Sequence, residues 1–305
     1  MTNIEVIVKE SENPGMNVVV LAGVHGNESF GVEMLKKTIP KIKVLNGKVT
    51  FIFANLEALK QNKRFVEYNL NRAFFKTQSK EIYNTLEGKT AREIMPYLDE
   101  ADVMLDIHAS FTPESIPFII CQPQSFEFAK CLPFEIVSSN WDNFEPGSTD
   151  YYMNIQNKIG ICIECGFMND KKSIKRARRA LFNFLTKTQV IKGQTISLPN
   201  KKFFKVVSLY KNEFGPFKKS KDFGDFEKLK ESTLIGKDGP KEVYAKKAQL
   251  VLFVRDCNDL GDECFLAAEE TLLNSKKLSQ INKIKRLIWK RQKYYLFANI
   301  TNLEA

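Results

Sequence analysis

Histidine is nearly absent from this chain: its 305 residues hold two, His25 and His108. Chemistry that needs imidazole is confined to those two positions. Long apolar runs are also missing. No stretch approaches the roughly 20 uninterrupted apolar residues that a bilayer span requires. The opening MTNIEVIVKESENPG has no basic segment followed by an apolar one, so no secretory signal is expected. These absences predict a cytoplasmic protein without membrane association. Cysteine is sparse, with six residues at 121, 131, 162, 165, 257 and 264, too few for a disulfide framework in a chain of this length. Cys162 and Cys165 form a CxxC, but strand alternation in GICIECG turns their side chains to opposite faces, so buried small hydrophobes are expected rather than a redox pair.

Positive charge is plentiful, yet unevenly placed. The net charge is +10, and the last 35 residues alone carry eight Lys/Arg against one Glu. In that tail Leu278, Ile281, Ile284 and Ile288 recur at helical spacing, the pattern of an amphipathic helix with one docked face and one solvated basic face. Nucleic acid is therefore not an expected partner.

Apolar runs alternate with helical patterns as far as residue 190. Residues 3–9 and 16–22 read as strands and 27–38 as a helix. GKVTFIFANLEAL reads as a strand and a turn, and 91–99 as a helix. ADVMLDIHAS, IPFIICQ and GICIECG read as strands, and 170–187 as a helix rich in Lys, Arg and Phe. That rhythm argues for an α/β sheet covered on both faces. Beyond it come short β-like runs punctuated by Gly and Pro. Three parts are expected: a catalytic domain over 1–192, a β-rich capping domain over 193–270, and a basic helical tail over 271–305.

Both histidines fall at the ends of expected strands, where an open α/β sheet places its ligand crevice. In VVVLAGVHGNESF an apolar strand ends in glycines before a helix, which resembles a phosphate loop. GVHG is neither GxGxxG nor GxxxxGK[ST], however, and a carboxylate opening the helix would repel a phosphate. Instead, the i, i+3 spacing of His25 and Glu28 lets both reach one cation. Gly23 and Gly26 would allow a sharp turn and a backbone path close to the metal. In DIHAS, Asp106 and His108 share a strand face, so the carboxylate can orient the imidazole. His25, Glu28 and His108 together make the two-His, one-Glu set of a catalytic zinc site. Glu164 ends the apolar run IGICIE, where burial would raise its pKa and suit it to proton transfer. Between the histidines, Arg64, Asn71 and Arg72 offer groups for an oxyanion and a substrate carboxylate.

GVHGNE, NLNRAF, DIHAS, and GSTDYY with IECG, in this order and spacing, resemble the succinylglutamate desuccinylase and aspartoacylase family of the zinc carboxypeptidase superfamily. The resemblance covers residues 16 to 190 and, more loosely, the β-rich part that follows. It implies a zinc-carboxypeptidase-like mixed sheet flanked by helices. It also implies one zinc ion held by His25, Glu28 and His108, with Glu164 as general base and then acid. Arg64 would polarise the scissile carbonyl, Asn71 and Arg72 would hold the substrate carboxylate, and Asp106 would orient a ligand histidine, His25 in the first instance. The implied activity is deacylation of an N-acyl amino acid or similar small carboxylate-bearing molecule. A metallocarboxypeptidase or cell-wall-type peptidase on the same zinc site is the alternative. The partner expected is that small substrate, and a homo-oligomer is compatible with the sequence.

The chain departs from the family at two points. Where aspartoacylase has a further arginine, before the catalytic glutamate, this chain has Asn154, a neutral hydrogen-bonding group. After the last core strand comes RDCNDLGDEC without the family's tyrosine, and Asp259 there would disfavour an anionic substrate.

Overall fold

The computed structural model describes residues 2–195 and 200–271, and residues up to 271 form one compact unit. The expected basic helix lies outside the described residues. Among the described residues there are fourteen strands: β1 Glu5–Glu10, β2 Asn17–Ala22, β3 Lys48–Phe53, β4 Val103–Ser110, β5 Phe118–Ile120, β6 Ile136–Ser139, β7 Ile159–Phe167, β8 Lys202–Lys211, β9 Phe217–Lys219, β10 Glu227–Leu229, β11 Leu234–Asp238, β12 Lys241–Tyr244, β13 Gln249–Leu252 and β14 Glu263–Glu270. Seven α-helices accompany them: α1 Ser29–Thr38, α2 Leu56–Gln61, α3 Lys80–Tyr83, α4 Leu86–Glu100, α5 Phe126–Ala129, α6 Thr149–Asn154 and α7 Lys171–Lys187.

Eleven strands form one mixed sheet in the order β1-β3-β2-β4-β7-β5-β6-β8-β14-β13-β10; β12-β11-β9 make a smaller one. Strands β3, β2, β4 and β7 run parallel to one another, whereas β1 is antiparallel to β3 and β5 is antiparallel to β7. Of the strands after residue 200, β8, β14, β13 and β10 join the same large sheet through the parallel β6–β8 pair.

Burial explains the apolar runs. Val18 to Ala22 are all buried because β2 is covered on both faces, so its sequence is continuously apolar rather than alternating. On one side Val19, Leu21, Ile52 and Met104 pack in a cluster with Ile94 and Leu98 of α4 and with Tyr152 and Met153 of α6. Helices α1 and α7 pack against each other and against β4.

The segment LEAL, expected to be a turn, is the helix α2. The helix expected over 91–99 begins earlier, at Leu86, where Thr85 Oγ1 caps it by accepting from Gly88 N. Among the described residues no helix is long and apolar enough to cross a membrane.

Candidate active site

The carboxyl ends of three adjacent parallel strands bring the site together. His25 and Glu28 follow β2, His108 lies near the end of β4, and Glu164 lies on β7 directly opposite His108 in the strand register. The turn after β2 depends on two glycines. Gly23 has φ +75°, and a Cβ on Gly26 would lie 2.2 Å from the Ala58 carbonyl carbon. The missing side chain of Gly26 thus makes room for the backbone of α2.

His25, Glu28 and His108 are each at most 5% exposed. Their ligand atoms all lie within 4.8 Å of one another, and no other such group converges among the described residues. Glu28 receives both rings: its Oε1 is 2.8 Å from His25 Nδ1 and its Oε2 is 3.0 Å from His108 Nδ1. On the far side of His25, Nε2 meets Asn69 Oδ1 at 3.2 Å, an oxygen that also accepts from Asn71 N. With a metal ion at Nδ1, Asn69 Oδ1 would accept the Nε2 proton and fix the ring.

Burial, reinforced by the Arg64 charge, lowers His25 to about 4, so it is neutral at pH 7. Burial would also lower His108, but Asp106, Cys162 and Glu28 together outweigh it and hold the ring well above its usual range. Burial alone would raise Glu28; the two imidazoles hold it below the ordinary carboxylate range instead. Two imidazole nitrogens and a carboxylate aimed at one buried point are the donors a divalent metal takes, and the residues fit such an ion.

Asp106 does not reach His25, as the resemblance implied. Its Oδ2 lies 3.0 Å from His108 Nε2, outside hydrogen-bond geometry, and accepts from Thr149 Oγ1 at 2.7 Å. The reason is the strand repeat: residues 106 and 108 share one face of β4, so the nearest imidazole is the one on the same strand.

A cavity of about 290 Å³ opens beside this group. Glu164, Arg64, Asn71 and Arg72 all line it, so it gathers the expected catalytic and substrate-binding residues around the candidate ligands. Burial and the Glu28 charge push the Glu164 carboxyl up to about 8. The exposed Arg64 holds its guanidinium 3.6 Å from Glu28 Oε1.

The catalytic-domain model of the succinylglutamate desuccinylase/aspartoacylase family matches residues 14–187. The chain belongs to that family. A succinylglutamate desuccinylase of Pseudomonas putida is 36% identical over 77 residues, 23% of this chain and 22% of that enzyme. A probable aspartoacylase of Acaryochloris marina is 27% identical over 117 residues, 36% of this chain and 40% of that protein. The matched stretches thus span less than half the length of these curated relatives. A succinylglutamate desuccinylase of Vibrio parahaemolyticus, 20% identical, shares the fold with a TM-score of 0.71 over 88% of this chain and 86% of its own.

Within this family frame, several partners lay beyond sequence reasoning. Arg72 Nη2 lies 2.6 Å from Glu145 and 3.2 Å from Glu263, while its buried Nε has no hydrogen-bond partner. Glu263 is 191 residues away in sequence, and no local signal points to it. Buried Glu87 accepts the amides of Val66, Glu67 and Tyr68, which fixes the loop that carries Arg64 and Asn71.

Neither residue marked as a departure from the family faces the cavity. Asn154 donates to Asp142 and accepts from Gln124, and neither it nor Asp259 is among the lining residues. Asp150 and Arg255 are.

Proposed function

We propose that the protein is a zinc-dependent deacylase that hydrolyses the amide bond of an N-acyl amino acid or a similar small carboxylate-bearing substrate. The observation that carries this reading is the convergence of two imidazoles and a carboxylate beside the cavity that Glu164 lines. His25, Glu28 and His108 would hold the ion, which when bound supplies Lewis-acid activation of water.

The remaining work falls to the chain's own groups. Glu164 takes the proton of the attacking water and returns it to the leaving nitrogen. A cation held by the neighbouring ligands would lower its elevated pKa. Arg64 stabilises the negative charge that develops on the carbonyl oxygen. Asn71 and Arg72, which line the cavity, hold the substrate carboxylate, so orientation contributes to the rate.

Residues 193–270 act as a cap in this reading. Asp225, Phe253 and Glu263 from that part line the cavity, which favours small substrates over polypeptides.

The test is a hydrolysis screen of N-acetyl, N-formyl and N-succinyl amino acids beside short peptides, with and without a chelator. Chelator-sensitive turnover of N-acyl amino acids is expected. Turnover of peptides alone would favour a carboxypeptidase, and no turnover by zinc-loaded protein would sink the proposal.

A further inference from the structure

The cavity is lined by six carboxylates and three guanidiniums. Every guanidinium already has a place. Arg64 faces Glu28, Arg72 lies between Glu145 and Glu263, and the exposed Arg255 donates from Nε to the Glu263 carbonyl at 2.8 Å. Asp150 has no such partner. It is 4% exposed and faces the cavity, and no lysine, arginine or histidine among the described residues forms an ion pair with it. Its Oδ1 accepts from Ser148 Oγ at 2.5 Å, and the strongest charges around it, Asp142 and Asp106, have its own sign.

A position in the first turn of α6 would ordinarily keep an acid ionised. Burial and the like charges prevail, however, and raise Asp150 to about 7. A buried carboxylate beside open space, short of positive charge, matches a cationic ligand group. The neighbouring walls suit the stem of such a group, since Ile120, Trp141, Leu209 and Phe253 line the same cavity. Thr149, the residue before Asp150, donates its amide to Asn71 Oδ1 at 3.2 Å. The first turn of α6, which carries Asp150, thus adjoins the proposed carboxylate site at Asn71, and both line one cavity.

We infer that the amino acid released by this enzyme is a basic one, whose side-chain ammonium is held against Asp150. The inference rests on the deacylase reading above, with Asn71 and Arg72 as the carboxylate site. It accounts for an acidic lining in a family whose named members, succinylglutamate desuccinylase and aspartoacylase, are named for anionic substrates.

The experiment compares zinc-loaded full-length protein on Nα-acyl-ornithine, its neutral isostere Nα-acyl-norleucine, and Nα-acyl-glutamate, with the acyl group that the screen selects. The kcat/KM for the ornithine substrate should exceed the other two by about tenfold or more. Asp150→Asn should collapse the ornithine-to-norleucine ratio to within about threefold. Equal or better turnover of the norleucine or glutamate substrate overturns the inference and leaves the deacylase reading standing. A parallel loss on all three substrates in the variant also overturns it. If none is hydrolysed, the deacylase reading fails, and calorimetric titration with free ornithine and norleucine decides. Preferential binding of ornithine that Asp150→Asn abolishes supports the site; equal or absent binding removes it.

Discussion

His108 and Glu164 are register partners on the adjacent parallel strands β4 and β7. A proposed metal ligand and the proposed proton carrier are thereby fixed to each other by the sheet rather than by loops. Groups mounted on strands hold position better than groups on loops, as this chemistry requires.

Removal of the His108 imidazole should take the metal with it. His108→Ala is expected to lose most of its zinc on dialysis, from about one ion per chain to below about a tenth. Elemental analysis beside a circular dichroism spectrum checks this, and full zinc retention would dismiss His108 as a ligand.

Glu164→Gln separates binding from chemistry. The amide matches the carboxyl in size but carries no transferable proton, so zinc should stay bound while kcat falls by about 10² to 10⁴. Unchanged turnover in a steady-state assay would remove Glu164 from the mechanism.

Asp106 stands 3.0 Å behind His108 Nε2. Asp106→Asn keeps the shape and the contact with Thr149 but removes the charge that makes the imidazole a better donor. Zinc affinity should fall by about 10- to 100-fold in a competition titration with a chromogenic chelator.

Asp150 makes stability depend on pH in an unusual direction for an acid. Its pKa is about 7 in the folded protein against 3.8 for an ordinary aspartate. The folded state therefore binds the proton more tightly, and this contribution is complete below about pH 4 and lost as pH rises through about 7. Asp150→Asn should gain on the wild type by a few kcal/mol, on the order of the shift, between pH 5 and pH 8. Urea midpoints at the two pH values test it; an unchanged difference between the proteins would show that Asp150 does not titrate in this range.

Much of the site could be read along the chain because its key groups occupy fixed positions relative to strand ends. His25 and Glu28 are three residues apart just after β2, and DIHAS ends β4, so spacing and alternation predicted which side chains could meet. The partner of Asp106 was legible from the same alternation, and the family resemblance pointed elsewhere.

What the sequence determined by itself was local: apolar strands buried on both faces, a turn that demands glycine at 23, a histidine and a carboxylate able to share a cation. The tertiary structure alone decided which distant groups share the cavity. Glu145 and Glu263 meet Arg72, Glu87 ties down the loop before it, and Asp150 is left without a cation. Those relationships arise because the large sheet continues from β7 through β8 to β14, which sets residues far apart in sequence around one opening. Charge balance inside a cavity is a sum over all its walls, and no single segment of the chain contains that sum.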